Sequence, residues 1–188
     1  MTLPVEEVLP ALRAALAANA PVALVAPPGA GKTTAIAPAL VGEAWVGTGK
    51  ILLLSPRRLA ARAAAERMAE SSGTPLGTTI GYRTRMDSRT SVTTRIDVIT
   101  EGIFTRMLVA DPELPGIAAV LFDEVHERSL DSDLALALVL EAREALRPDL
   151  RLLLMSATLD GAAYEALVPG LVRLENQGRM FPVEQRHI

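Results

Sequence analysis

The chain has 188 residues, 49% of them apolar and 3% aromatic, and a formal net charge of −3; that length suits one α/β layer with helices on both faces and is short for two domains. It contains no Cys, which excludes a disulfide framework and a thiolate metal site and makes a reducing cytoplasm the expected home. Glu6 and Glu7 stand where a signal peptide would be basic, and no apolar run approaches the ~18 residues of a membrane span, so neither feature is expected.

In chain order, Leu3, Val5, Val8, Leu9, Leu12 and Leu16 recur at helical spacing, so the pattern predicts a helix over 3–18 with Thr2 as N-cap and Pro4 in its first turn. Val22–Val25 reads as a strand. It runs into Ala26-Pro27-Pro28-Gly29-Ala30-Gly31-Lys32-Thr33-Thr34, a tight loop that reopens into a helix. Gly29 and Gly31 carry no Cβ, so this backbone can curl and aim successive N–H groups inward, an anion nest at a helix N-terminus. Lys32 adds a point charge for β and γ phosphates, and the Thr33 hydroxyl is placed to ligate Mg²⁺. Ala26 stands where the usual G-x-x-x-x-G-K-[ST] loop has its first Gly. An ordinary Gly/Pro turn would explain the loop but leave Lys32-Thr33 without a role.

The helix from Lys32 is expected to end near 40–43, with Gly47-Thr48-Gly49 as a loop before the strand Lys50–Ser55. Pro56-Arg57-Arg58 then places two arginines where a strand hands over to a helix over 59–70, closed by Gly73 and Pro75. That is the sheet edge where open α/β folds bind ligands. A strand is expected over 78–82, 83–94 is a polar stretch in which arginines alternate with Ser and Thr, and a strand at Ile96–Thr100 is followed by a helix opened by Glu101-Gly102 and ended by Asp111-Pro112. Lys50 to Met107 holds ten basic and five acidic residues, whereas the remainder holds nine and seventeen. Such asymmetry can steer a polyanion to one edge, although a solvated Arg-rich helix face gives the same count.

Ile117–Phe122 is the most apolar run and ends in Asp123-Glu124-Val125-His126-Glu127-Arg128. A buried strand delivering two carboxylates complements a phosphate loop: Asp123 would hold the metal through water, and Glu124 would orient and deprotonate the nucleophile. Helix N-capping would account for one carboxylate only. His126 is open between roles: a lone His beside a carboxylate pair is often just its hydrogen-bonded partner, no second His or Cys stands at ligand spacing to make a metal site, and His187 has no discernible partner. A helix over 131–147 is expected to bury Leu134, Leu136, Leu138 and Leu140. The strand over 151–155 ends in Ser156-Ala157-Thr158, hydroxyls that either relay a change at a γ-phosphate or cap a helix from Asp160. A last strand is expected at 171–175, and the segment from Gly178 looks like the start of another element.

The series A-P-P-G-A-G-K-T, P-R-R, T-E-G, D-E-V-H-E-R and S-A-T, in that order over essentially the whole chain, resembles the first RecA-like domain of the superfamily 2 DExH/DEAH helicases. With L-P-x-x-x-x-L-P-x-L at its start, it is most similar to bacterial ATP-dependent members. The resemblance implies an α/β RecA-like P-loop NTPase fold, a mostly parallel sheet with helices on both faces, over 1–176. It further implies that 177–188 is a linker or the start of a second RecA-like domain. It implies ATP and Mg²⁺ as cofactors and a nucleic acid, RNA or DNA, as partner. On matching positions, Lys32, Thr33 and Thr34 fall in motif I with Pro28, Gly29, Ala30 and Gly31 in the loop around the phosphates. Asp123, Glu124 and His126 fall in motif II and, with Lys32, make the catalytic set; Thr33, Asp123 and Glu124 are the metal candidates. Arg57 and Arg58 match motif Ia, and Thr100, Glu101 and Gly102 match motif Ib, both of which contact sugar-phosphate in relatives. Ser156, Ala157 and Thr158 match motif III, which links nucleotide state to strand separation, and Arg67 falls where relatives place an arginine against adenine.

No counterpart of the second domain's Q-x-x-G-R-x-G-R arginines follows Arg179, so an N-terminal piece of a longer enzyme is expected, one that binds Mg-nucleotide weakly and turns it over slowly. Two other classes remain open at this point: a small-molecule kinase on a P-loop scaffold, and a non-catalytic nucleotide-gated binding module.

Overall fold

The computed structural model describes residues 4–158 and 161–176. Pro4–Val8 is a 3-10 turn leading into α1 (Leu9–Ala17), followed by β1 (Val22–Val25), α2 (Lys32–Leu40), β2 (Lys50–Ser55) and α3 (Arg58–Ser71). Then come β3 (Ile80–Arg83), β4 (Ser88–Arg89), β5 (Ile96–Thr100), α4 (Glu101–Ala110) and β6 (Ile117–Phe122). A 3-10 turn at Val125–Glu127, α5 (Leu130–Ala145), β7 (Arg151–Ser156), α6 (Gly161–Leu167) and β8 (Val172–Glu175) complete the order. The eight strands form one sheet ordered β4-β3-β5-β2-β6-β7-β1-β8, parallel except where β4 returns against β3.

The central strands are uninterrupted apolar runs because both faces of the sheet are covered. On β2, Ile51 and Leu53 join a core with Leu12, Leu16, Ile36 and Met68 from α1, α2 and α3. Leu52 and Leu54 point the other way, into a core with Phe104, Leu136 and Val139 from α4 and α5. Phe104 meets Phe122 edge-on with ring centroids 6.1 Å apart, a contact worth about 0.5–1.5 kcal/mol beyond area burial. The expected α/β class, mostly parallel with helices on both faces, is therefore the observed one. No described helix is long and apolar enough to cross a membrane.

Two expectations need correction, and a stretch read only as polar carries a strand. The N-terminal helix is broken into a 3-10 turn and α1, because Pro10 has no N–H with which to close a helical bond back into 4–8. The polar stretch 83–94 contains β4. Its approach leaves room only for a glycine on β3: a Cβ on Gly81 would fall 2.4 Å from the Arg89 carbonyl oxygen. Finally, Leu134 is 45% exposed while α5 buries Ala135, Leu136, Val139 and Ala142. At 100° per residue Leu134 lies about 200° from Leu136, on the opposite side of the helix. Thr2, Asp160, His187 and 177–188 lie outside the described residues.

Candidate functional site

Every singled-out motif sits at or just beyond a strand's carboxyl end. The sheet order lines them up as Thr100 at the end of β5, Arg57 after β2, Asp123 after β6, Ser156 at the end of β7 and the loop after β1. The β1 loop adopts the curl its glycines permit, with φ of 79° at Gly29 and 92° at Gly31. A Cβ on Gly29 would meet nothing within 4 Å, so the demand there is conformational rather than steric. The 3-10 turn braces this loop through a bond from the Val5 amide to the Ala30 carbonyl, 3.2 Å. At its other end the Ala26 amide donates to the Ser156 carbonyl at 3.0 Å, which joins the loop directly to Ser156-Ala157-Thr158. The Ser156 hydroxyl in turn donates to the Thr158 carbonyl.

Lys32 is 4% exposed, and its Nζ donates to the Ala26 carbonyl at 2.6 Å. The ammonium is thus desolvated and held by the neutral carbonyls of its own loop. Anionic oxygen is a stronger acceptor for it. Thr33, Thr34, Gly29 and Gly31 line a cavity of about 400 Å³ together with Lys32, Glu124, Arg67 and Ser71. Glycine loop, Glu124 and Arg67, spread over nearly a hundred positions of sequence, therefore face one space.

The bond that closes this arrangement runs from the Thr33 hydroxyl to Asp123 Oδ2, 2.6 Å. Asp123 is 5% exposed, and burial, reinforced by the neighbouring Glu124 charge and only partly offset by the Thr33 hydrogen bond, pushes its carboxyl up to about 6. A cation binding there below that pH has to displace a proton. Thr33 and Asp123 together offer hard oxygens, and among the described residues no group of three or more His, Asp or Glu could enclose a metal. That donor set fits Mg²⁺, which is commonly held by one or two protein oxygens plus phosphate and water.

Glu124 has φ 53°, ψ 40°, a left-handed conformation costing a non-glycine residue roughly 1–2 kcal/mol. Its Oε2 is buried without a hydrogen-bond partner. His126 Nδ1 lies 3.2 Å from that oxygen without making a hydrogen bond to it, so the carboxylate keeps an unmet acceptor beside the cavity. Asp123 does not cap a helix; Ser129 caps α5 by accepting from the Ser132 amide at 2.9 Å.

Arg57 and Arg58 are exposed at the start of α3, and Thr100 and Gly102 lie at the adjoining strand end, Ser55 pairing with Thr100 in register. Glu101 differs. It is 5% exposed and accepts from the Ser129 hydroxyl at 2.9 Å, so its carboxylate secures α5 rather than facing a ligand. Burial raises its pKa despite the Ser129 and Ser132 hydroxyls. Stability from this group is then present at acid pH and lost as pH rises through the raised value. Glu101→Gln should accordingly be at least as stable as the wild type at pH 8 and lose ground to it as pH falls to 5, read from urea midpoints of both proteins. A wild type that gained on the variant with rising pH would contradict that sign.

Ser71, Glu127 and Ser129 were not expected from the sequence. Ser129 carried a signal, a hydroxyl residue ahead of the acidic first turn Asp131 and Asp133. Glu127 had none: its Oε1 accepts from Arg57 Nη2 at 3.0 Å across 70 positions of sequence.

A family model for the DEAD/DEAH box helicase matches residues 7–167. The chain is 48% identical over 187 residues to the ATP-dependent RNA helicase HrpB of Escherichia coli, covering 100% of this chain and 23% of that protein. It is 34% identical over 190 residues to the probable ATP-dependent RNA helicase DHR2 of Saccharomyces cerevisiae, covering 100% and 26%. The crystal structure of the Escherichia coli DEAH/RHA helicase HrpB superposes with a TM-score of 0.92 at 49% identity, over 98% of this chain and 24% of the other. The chain thus spans about a quarter of the length of these relatives.

Proposed function

The chain belongs to the DEAD/DEAH box helicase family, and from that premise we propose that residues 1–176 form the ATP-binding motor domain of a cytoplasmic RNA helicase, with 177–188 leading towards a second RecA-like domain. RNA rather than DNA is chosen because the relatives are named as RNA helicases. The observation that carries the reading is the 2.6 Å bond from the Thr33 hydroxyl to Asp123, which ties the acidic strand end to a residue lining the cavity that Lys32, Arg67 and Glu124 share.

In this reading the glycine loop and Lys32 hold the phosphates, and Arg67 stacks on the base. Thr33 and Asp123 would hold Mg²⁺, which when bound would supply positive charge beside the phosphate oxygens. Glu124 accepts a proton from the attacking water through the oxygen that now lacks a partner, and His126 steadies that carboxylate. Ser156, Ala157 and Thr158 pass the loop's state along β7. Arg57 and Arg58, with the Thr100 and Gly102 backbone, grip the strand by its phosphates, which gives sequence-independent binding.

The cations lining the cavity are Lys32 and Arg67, and a phosphoryl transition state is accelerated by about 10³–10⁵ when an arginine finger reaches it. Turnover by these residues alone is therefore slow, and the arginine comes from the second domain.

The experiment is a titration of Mg-nucleotide and of a single-stranded RNA oligonucleotide at several salt concentrations. Nucleotide binding that needs Mg²⁺, together with RNA binding that weakens steeply with salt, is expected. Arg57→Ala with Arg58→Ala should lower RNA affinity and make the slope of log K against log salt shallower by about one to two. An unaltered slope would return both arginines to ordinary surface charge.

A further inference from the structure

The turn Val125–Glu127 lies between two left-handed residues, Glu124 with φ 53° and Arg128 with φ 45°. It is closed by a bond from the Glu127 amide to the Glu124 carbonyl, 2.9 Å. A movement of Glu127 is therefore transmitted through one short turn to the residue whose carboxylate faces the nucleotide cavity. At its outer end Glu127 is tied to Arg57, Nη2 to Oε1, 3.0 Å. The Arg57 side chain is 72% exposed and that of Glu127 is 34% exposed, so the pair is open to competition from solvent and solutes. Exposed ion pairs are weak, equivalent to less than about fivefold in an equilibrium constant. A phosphodiester presents the same guanidinium with an anionic acceptor of matching geometry.

We propose that the Arg57–Glu127 pair is a latch released by strand phosphate: when RNA takes Arg57, Glu127 is freed, and the turn carrying Glu124 relaxes with it. This rests on the reading that Arg57 meets the RNA backbone and adds a route by which RNA occupancy reaches the nucleotide site. Glu127 is then a positioning residue. It acts through Glu124 and as an internal competitor of the strand. By linkage, whatever the latch contributes to strand affinity on nucleotide binding it contributes equally to nucleotide affinity on strand binding.

The test is a set of titrations of the 188-residue protein with a fluorescent oligouridylate, with and without a non-hydrolysable Mg-ATP analogue, for wild type, Glu127→Gln, Arg57→Ala and the double variant. Removing the competitor should tighten RNA binding by about two- to fivefold and bring the ratio of RNA affinities with and without nucleotide closer to one. In the Arg57→Ala background Glu127→Gln should change neither quantity, since there is no latch left to open. If the tightening persists without Arg57, it is a general charge effect and the latch is overturned. A ratio unchanged in Glu127→Gln overturns it as well. If wild type itself shows no salt-dependent RNA binding, the motor reading falls and the latch falls with it. If wild type binds and Glu127→Gln does not differ from it, the latch alone falls.

Discussion

Lys32→Ala is expected to weaken Mg-nucleotide binding by at least about a hundredfold. Hydrogen bonds to charged groups each contribute about 1.5–3 kcal/mol, and a buried ammonium facing β and γ phosphates makes more than one. The fold should survive. Among the described residues Lys32 Nζ donates to the Ala26 and Pro27 carbonyls, 2.6 and 3.4 Å away, and its removal takes away a desolvated charge, so thermal unfolding should stay close to that of wild type. Calorimetric titration with an ATP analogue beside a melting curve separates the two quantities. Undiminished nucleotide affinity in a folded Lys32→Ala protein would take the glycine loop out of the mechanism.

Glu124→Gln should behave in the opposite way, binding Mg-nucleotide about as well as wild type while losing about 10²–10⁴ in the hydrolytic step, the usual contribution of a positioned general base. The amide has the shape of the carboxylate but cannot take the proton. Because the unpartnered oxygen of Glu124 is buried, the exchange also removes a desolvated negative charge next to Asp123. The raised Asp123 pKa, to which the Glu124 charge contributes, should then relax downwards. Single-turnover hydrolysis under saturating Mg-ATP measures the rate. A variant that hydrolyses as fast as wild type would assign the proton to another group and leave Glu124 a merely structural residue.

How much of this was legible in the sequence depends on how far apart the interacting residues stand. Strand ends followed by Gly-Lys-Thr or Asp-Glu are contiguous in sequence, and their chemistry can be read locally because a parallel sheet brings all its carboxyl ends to one edge. Leu134 was misplaced because four leucines in a short helix suggest a broad buried face, whereas the real one is built around Ala135, Val139 and Ala142, whose small side chains carry less hydrophobic signal. The β4 return escaped notice because its two residues, Ser88 and Arg89, are polar and exposed. Nor does any local feature of Asp123-Glu124-Val125 demand a left-handed Glu124. That conformation comes from tertiary ties on either side: Thr33 to Asp123, and the Tyr164 hydroxyl to the Val125 carbonyl at 3.0 Å. The tie from Arg57 to Glu127 carries no local signal because the two lie 70 positions apart.

The place of β1 in the sheet has a consequence for biosynthesis. Among the described residues its strand neighbours are β7 and β8, so while the ribosome makes the chain from Val25 to Arg151, Val22–Val25 has neither of them to pair with. At ordinary elongation rates that wait lasts on the order of ten seconds, during which four apolar residues and their unpaired amides are covered by α1 and α2 at most. Until that pairing forms, β1 is an open template for other nascent strands or for chaperones.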